Sequence, residues 1–231
     1  MKSLLLDLDD TLLDYSGGVD ECWAAACSLG CADGGIDASR LLAAVIASRR
    51  WFWDDPTRHR RERVKMLGAW TQIVEHALDT LGRPDPALAA TIATAFARRR
   101  RERMRLFPES LSCLTAWQAG GVRLGLVTNG DASQQRDKIA RHALAGYFDV
   151  IVIEGEFGAG KPDAAVYEHA LGTLGARPED TCMVGDHLDF DVAGAQRLGM
   201  QGIWIDRPGT GLPAECAVRP DRIIRSLREL D

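Results

Sequence analysis

Apolar residues along this chain recur in two different patterns, and each pattern predicts one kind of secondary structure. Residues 3–8 form a short apolar run that ends at Asp9-Asp10-Thr11, as expected of a buried strand that leads into a polar turn. From about residue 19 to residue 105, apolar residues instead recur at every third or fourth position, which is typical of amphipathic helices. Glycines and prolines separate four such segments, which predict helices over 19–29, 38–53, 63–81 and 87–104.

After residue 107, strand-like and helix-like segments alternate. Such alternation predicts βαβ units and a parallel sheet that is covered on both faces, and the strand at 3–8 most simply joins that sheet. We therefore expect an α/β protein with a Rossmann-like parallel-sheet core, residues 1–14 plus 106–231, interrupted by an all-helical domain, residues 15–105. The type of the segment 222–230 stays open. The predicted strands are 122–128, 148–153, 181–184 and 202–205, and the predicted helices are 132–143, 164–174 and 189–198.

The composition is that of a globular protein, and it argues against nucleic acid and membranes as partners. The 231 residues include 46% hydrophobic and 26% charged side chains, with a net charge of −5 that argues against nucleic acid as a partner. No segment approaches the roughly 20 apolar residues that cross a bilayer, and the N-terminus lacks an apolar leader region. No cysteine spacing suits a zinc site or a redox pair. We therefore expect a cytoplasmic protein with no membrane partner.

Two acidic residues, Asp7 and Asp9, lie two positions apart where the first predicted strand ends. Residues with this spacing share one face of a strand, and two carboxylates held together repel each other unless a cation or a proton lies between them. Their hard oxygen ligands suit Mg²⁺. The simpler interpretation is a surface turn with a capping aspartate, and the pair alone is a weak signal.

Three further groups of polar residues follow predicted strands. Thr128 and Asn129 end a strand just before a helix, where a hydroxyl and backbone N–H groups can bind an anion. Lys161 follows a glycine-rich loop and can act as a point charge on phosphate. Asp186 follows the strand at 181–184, and Asp191 lies five residues further on. Taken singly, each group also fits a plain turn, an exposed lysine or a helix cap.

The ordered set of motifs D-x-D-x-T, T-N, K-P and G-D-x-x-x-x-D, each after a strand, resembles the haloacid dehalogenase (HAD) superfamily. This resemblance implies that residues 1–14 plus 106–231 are a HAD-like catalytic core and that residues 15–105 are a helical C1-type cap. The stretches 128–131 and 155–163 are most similar to the branch that contains N-acylneuraminate-9-phosphatases and pyrimidine 5'-nucleotidases. Asp10, where the commoner motif has glycine, also occurs in that branch.

The resemblance implies a Mg²⁺-dependent phosphatase that hydrolyses a small phosphorylated metabolite through an aspartyl-phosphate. Asp7 is the expected nucleophile. Asp9 is expected to protonate the leaving oxygen and then to deprotonate the attacking water. Mg²⁺ is expected to bind the Asp7 carboxylate, the backbone carbonyl of Asp9 and the Asp186 carboxylate.

The resemblance also implies how the phosphate is held. Thr128, Asn129 and Lys161 are expected to bind its oxygens, and Lys161 also to neutralise charge on Asp7. Among the four lysines, Lys161 alone occupies a position where this chemistry calls for a compact cation. Asp191 is expected to orient Lys161 or the metal shell. Local hydrogen bonds of two more residues, Asp10 and Thr11, are expected to fix the turn.

Several alternatives stay open. A phosphomutase or another phosphotransferase of the same family, a signalling receiver and a non-catalytic phospho-ligand-binding protein use similar residues. The acid at Asp9 argues against dehalogenation, which the family performs without it, and Lys65 lies in a stretch that is better explained as a solvated face than as an imine former. The substrate (a sugar phosphate, a nucleotide or a similar ester), a monomeric or homodimeric state, and the roles of His187 and of residues 49–53 are not determined.

Overall fold

The computed structural model describes residues 2–31 and 35–230, and the chain divides into two compact units. The first, here called the core unit, comprises Met1–Tyr15 and Arg105–Asp231. The second, here called the helical unit, comprises Ser16–Met104. The predicted fold class, an α/β protein with a helical segment inserted after the first strand, is confirmed.

The strands of the described residues all lie in the core unit. Most follow the predicted apolar runs, but the first strand ends at Leu6, two residues earlier than predicted. The segment whose type the sequence left open contributes the last strand. In chain order they are β1 (Ser3–Leu6), β2 (Leu13–Asp14), β3 (Arg105–Leu106), β4 (Arg123–Thr128), β5 (Val150–Ile153), β6 (Thr181–Gly185), β7 (Gln201–Ile205) and β8 (Arg222–Ile224).

Six of these strands form one parallel sheet, in the order β5-β4-β1-β6-β7-β8. All four residues of β1 are buried, as expected of a central strand covered on both faces. Because the strands run parallel, the polar residues that follow β1, β4 and β6 meet at one edge of the sheet. The remaining two strands, β2 and β3, pair antiparallel where the chain leaves and re-enters the core unit.

The helical unit contains five helices within its described residues. Three of them begin at aspartates whose side chains accept a backbone N–H, namely Asp37, Asp55 and Asp85. The helix predicted over 63–81 begins three residues later than expected, at Met66, and a short helix that was not predicted, Pro56–Glu62, precedes it. The helices are α1 (Val19–Gly30), α2 (Ala38–Trp53), α3 (Pro56–Glu62), α4 (Met66–Thr80) and α5 (Pro86–Arg103).

Aromatic side chains organise the interior of the helical unit. Trp23 stacks on Phe96 with ring centroids 3.7 Å apart, and Trp70 meets the same phenyl ring edge-on. In the stretch 49–53, only Phe52 is fully buried, and Trp51 is 46% exposed with its ring stacked on His76. The described helices include none that is both long and apolar enough to cross a membrane.

The helices of the core unit flank the sheet. Ser110–Ala119 was not predicted, because its hydrophobic periodicity is weak. The predicted helix over 189–198 is an irregular turn followed by a short α-helix, which places Asp191 inside the turn. The helices are α6 (Ser110–Ala119), α7 (Ala132–Arg141), α8 (Glu154–Phe157), α9 (Ala164–Leu174) and α10 (Gly194–Gln196), with a π-turn over Leu188–Ala193 and 3₁₀ turns over Ala145–Tyr147, Pro178–Asp180 and Leu227–Leu230.

Candidate active site

The turn after β1 places the first acidic pair at the carboxyl edge of the sheet. The Asp7 N–H donates to Val184 O at 2.9 Å, so Asp7 still follows the direction of the strand, and its side chain is buried. Asp10 adopts a positive φ of 56°, a conformation that aspartate tolerates better than most residues, and its carboxylate accepts the Tyr15 N–H at 3.0 Å. The Thr11 hydroxyl is buried and finds no hydrogen-bond partner among the described residues, so the turn-fixing role expected of it is not seen.

Lys161 lies between two buried carboxylates. Its Nζ atom is 2.6 Å from Asp7 Oδ1 and 2.6 Å from Asp191 Oδ1, and all three side chains are almost completely buried. Burial opposes a charged ammonium, but the negative charges of Asp191 and Asp7 outweigh it and hold the pKa of Lys161 above its usual value. Lys161 therefore stays protonated beside Asp7.

A third carboxylate gives the site an excess of negative charge. Oxygen atoms of Asp7, Asp186 and Asp191 all lie within 4.8 Å of one another. Burial raises the pKa of Asp7 to about 7; Lys161 opposes this rise, while Asp191 and Asp9 add to it. Desolvation by the surrounding protein raises the pKa of Asp186, and the negative charge of Asp7 adds to this rise. The side chain of Asp186 is nevertheless exposed to solvent. Three carboxylates face one ammonium, an imbalance that a divalent cation could offset.

The donors in this cluster fit a hard cation such as Mg²⁺. Asp191 is already engaged, because Lys161 bonds to Oδ1 and the His187 N–H donates to Oδ2 at 2.9 Å. Asp7 and Asp186 therefore provide the oxygens that remain for a metal ion. In proteins, Mg²⁺ is usually bound by one or two carboxylates and keeps several of its water ligands.

Thr128 and Asn129 follow β4, but their side chains make contacts that the sequence did not indicate. The Asn129 side chain joins the lysine loop twice, since Nδ2 donates to Lys161 O at 2.8 Å and Oδ1 accepts the Lys161 N–H at 2.7 Å. The Thr128 hydroxyl accepts a hydrogen bond from Gln135 Nε2 at 2.6 Å. Asn129 thus holds the backbone that carries Lys161.

Two residues that the sequence did not single out, Gln135 and Lys138, hold Asp9. Lys138 Nζ lies 2.9 Å and 2.7 Å from the two oxygens of the Asp9 carboxylate, and Gln135 Nε2 donates to Oδ2 at 3.2 Å. Lys161 is therefore not the only lysine that contacts an acidic residue of the candidate site. A usable signal existed, because Gln135 and Lys138 are three positions apart on one helix and share a face just after Thr128.

His187 takes part in the local structure of the turn after β6. Its ring stacks on Phe190 with centroids 3.8 Å apart, and Nδ1 accepts the Phe190 N–H at 3.3 Å. The side chain is exposed. These contacts give His187 a role as the cap of the π-turn that carries Asp191.

The close contact between Gly185 and Asp191 provides a test of the packing at the site. A Cβ atom at position 185 would lie 2.1 Å from Asp191 Cγ, so Gly185→Ala must displace the carboxylate that holds Lys161. We expect a loss of activity of about 10-fold or more and a loss of stability of about 1–3 kcal/mol. Phosphate release and thermal unfolding measure the two effects.

Gly172→Ala is the matched control, because a Cβ atom there meets nothing within 4 Å. In the exposed face of α9 this change should leave activity unaltered and raise stability by up to about 1 kcal/mol. Equal activity and equal stability of the two variants would show that the Asp191 side chain can move to accommodate a methyl group at position 185.

The parallel sheet, whose carboxyl edge gathers carboxylates and a buried lysine, belongs to the doubly wound α/β class, in which ligands bind at that edge. Residues 1–199 match the model of the haloacid dehalogenase-like hydrolases, and the chain belongs to this family. It is 34% identical to the phosphoserine phosphatase of Thermus thermophilus, over 100% of this chain and 98% of that protein. It is also 40% identical to the N-acylneuraminate-9-phosphatase of Rattus norvegicus, over 47% of this chain and 44% of that protein. The predicted superfamily is confirmed, the family is one of hydrolases, and both of these relatives are named phosphatases.

Solved structures share the whole fold. The magnesium-bound HAD-hydrolase YfnB from Bacillus subtilis has a TM-score of 0.74 at 22% identity, covering 99% of this chain and 96% of that chain. The 2-haloacid dehalogenase from Pseudomonas syringae pv. Tomato has a TM-score of 0.66 at 29% identity, covering 100% and 96%. One of these structures is named a dehalogenase, whereas the relatives above are named phosphatases, so the site residues must separate the two reactions.

Proposed function

We propose that this protein is a Mg²⁺-dependent phosphatase that hydrolyses a small phosphorylated metabolite through an aspartyl-phosphate on Asp7. The observation that carries the proposal is the position of Lys161 between Asp7 and Asp191, with Asp186 adjoining them. A carboxylate held beside a fixed ammonium at the edge of a parallel sheet suits attack on an anionic phosphoryl group, since the ammonium offsets their mutual repulsion.

The metal site in this proposal uses the carboxylates of Asp7 and Asp186 and the backbone carbonyl of Asp9. A bound Mg²⁺ supplies charge neutralisation for the nucleophile and the phosphoryl oxygens. Asp191 is assigned a supporting role, because both of its oxygens already accept hydrogen bonds, from Lys161 and from the His187 N–H.

The reaction has two steps, between which Asp9 changes from a general acid to a general base and Asp7 changes from the nucleophile to the leaving group. In the first, an Asp7 oxygen forms a bond to phosphorus, the bond from phosphorus to the leaving oxygen breaks, and Asp9 gives its proton to that oxygen. In the second, Asp9 takes a proton from water as the water oxygen bonds to phosphorus and the bond to Asp7 breaks. Inorganic phosphate leaves, and both carboxylates return to their starting forms.

The remaining site residues bind and orient the phosphoryl group. Lys161 neutralises charge on Asp7 and on the phosphoryl oxygens, and we assign the Thr128 hydroxyl and the Asn129 backbone N–H to those oxygens. The Asn129 side chain keeps the lysine loop in place. Asp10 keeps the turn in shape.

The helical unit is assigned the role of a C1-type cap, with the domain bounds 15–105 for the cap and 1–14 plus 106–231 for the catalytic core. A cap excludes bulk water and contacts the leaving group, which favours small metabolites over folded phosphoproteins. Phosphoserine phosphatase and N-acylneuraminate-9-phosphatase relatives support a monoester of an alcohol as the substrate class.

Phosphate release from a panel of monoesters, with and without Mg²⁺, tests the proposal. The panel contains phosphoserine, sugar phosphates, nucleoside monophosphates and phosphoglycolate. We expect at least one of them to be hydrolysed with Mg²⁺, and the rate to fall by about 100-fold or more after chelation. Halide release from 2-chloropropionate should be absent.

Three results would contradict the proposal. Halide release instead of phosphate release would assign the dehalogenase reaction. Transfer of the phosphoryl group within a sugar, without inorganic phosphate, would assign a phosphomutase. Binding of Mg²⁺ and phosphate esters by folded protein without turnover would assign a phospho-ligand-binding protein, or a receiver if a phosphorylated form of the protein persists.

A further inference from the structure

Asp9 is held by an ion pair that the two-step reaction does not by itself require. The two oxygens of its carboxylate contact Lys138 Nζ at 2.9 Å and 2.7 Å, and Oδ2 also accepts a hydrogen bond from Gln135. The Lys138 side chain is 4% exposed, while that of Asp9 is 23% exposed. Protein groups therefore contact both oxygens of the Asp9 carboxylate, and part of the side chain remains exposed.

Lys138 is not an ordinary surface lysine. Its Nζ lies 4.3 Å from the centre of the Tyr15 ring, so the ammonium is enclosed by an aromatic face and a carboxylate. Removing an ammonium from water is costly, and such a group is retained only where its partners compensate. Of the chain's four lysines, Lys2 and Lys65 are exposed, whereas Lys138 and Lys161 are the two buried ones, and both contact acids of the site.

Gln135 connects Asp9 to the residue assigned to the phosphate. Its Nε2 donates to Asp9 Oδ2 at 3.2 Å, to the Thr128 hydroxyl at 2.6 Å and to Asn129 O at 3.2 Å. A single amide thus fixes the distance between the carboxylate after β1 and the hydroxyl at the end of β4. Both Gln135 and Lys138 belong to α7, which Asp131 caps through the Gln134 N–H.

We propose that Lys138 and Gln135 are positioning residues, which hold the Asp9 carboxylate at the leaving oxygen and at the attacking water while touching neither substrate nor metal. This inference rests on the proposed phosphatase function, because Asp9, the residue that Lys138 and Gln135 position, is the acid–base group of that reaction. A displacement of about 1 Å of such a group can cost on the order of 100-fold in rate. The helix face of α7 is then part of the active site.

The test compares two leaving groups. 4-Nitrophenyl phosphate needs little protonation of its leaving oxygen, whereas an alkyl monoester from the panel needs it strongly. We expect Lys138→Met to lower kcat/KM about 10- to 100-fold for the alkyl ester, mainly through kcat, and by less than about 3-fold for the aryl ester. Gln135→Leu should show the same pattern with a smaller loss. Lys138→Arg, which keeps the cation, should recover part of the alkyl activity.

Lys2→Met is the matched control, because Lys2 is an exposed lysine of the same unit, with an ion pair to Asp180. It should leave both substrates unaffected. Thermal unfolding of each variant identifies any loss of activity that comes from misfolding. If Lys138→Met does not fold, Gln135→Leu still tests the inference.

A double variant shows whether Lys138 acts through Asp9. In an Asp9→Asn background, Lys138→Met should cause no further loss on the alkyl ester, because the group that it positions is gone. An equal loss on both esters, or a loss that persists in the Asp9→Asn background, would overturn the inference and place Lys138 on the phosphoryl group itself. Full activity of Asp7→Asn would instead overturn the proposed function, so the two failures are distinguishable.

Discussion

Asp7→Asn should reduce phosphate release by about 10⁴-fold or more, because an amide can neither attack phosphorus as a carboxylate does nor form an aspartyl-phosphate. The same change should leave the fold intact. Asparagine has nearly the shape of aspartate, and Lys161 keeps its second partner, Asp191, at 2.6 Å. The cluster also carries more negative than positive charge, so the loss of one carboxylate relieves repulsion. We therefore expect activity to disappear while the melting temperature stays the same or rises.

Asp79→Asn is the matched control for this prediction, since Asp79 is an exposed residue of α4 in the helical unit. It should retain both activity and stability. If Asp7→Asn retained more than a few per cent of wild-type activity in the presence of Mg²⁺, another residue would have to be the nucleophile.

Lys161→Met should abolish activity and also destabilise the protein, in contrast to Asp7→Asn. Without the ammonium, Asp7 and Asp191 become buried like charges without their shared partner. Removal of one partner from a buried ion pair costs about 3–5 kcal/mol. The loss of the cation beside the nucleophile should lower kcat/KM by on the order of 10³-fold. Urea unfolding and phosphate release measure the two effects.

Two other lysine variants make this prediction sharper. Lys161→Arg keeps the charge, but a planar guanidinium does not fit a space that holds a compact ammonium between two carboxylates, so activity should not recover. Lys65→Met removes an exposed lysine of the helical unit and should have no effect. A Lys161→Met protein as stable as the wild type would show that the three side chains are not coupled.

Much of the fold could be predicted, because the signals for it are local. The apolar run of β1, the spacing of apolar residues in the helical segments and the alternation after residue 107 act over a few residues, and they led to a parallel sheet with a helical insertion. Errors arose where the local signal was weak or mixed. Ser110–Ala119 has almost no amphipathic pattern, and a proline at position 56 begins a helix where a break was expected.

The candidate site was predicted to a different extent for each residue. Asp7, Asp9, Lys161 and Asp186 were selected by residue type, by their position after strands and by the order of motifs. Gln135 and Lys138 share one face of the helix after Thr128, but this local pattern does not identify Asp9, 129 positions away from Lys138, as their partner. Whether a polar residue is exposed or buried depends on what packs against it, and for Lys138 this is Tyr15.

The sequence by itself determined the class of fold, the order of the motifs and the residue types available for phosphoryl chemistry, since these follow from periodicity and composition. Only the tertiary structure decided which charges face one another. It placed Lys161 between Asp7 and Asp191, and it paired the second buried lysine, Lys138, with Asp9. The physical reason is that the electrostatic interactions of a charged group depend on its burial and on its neighbours. Both are set when β1, β4 and β6 come together in one sheet.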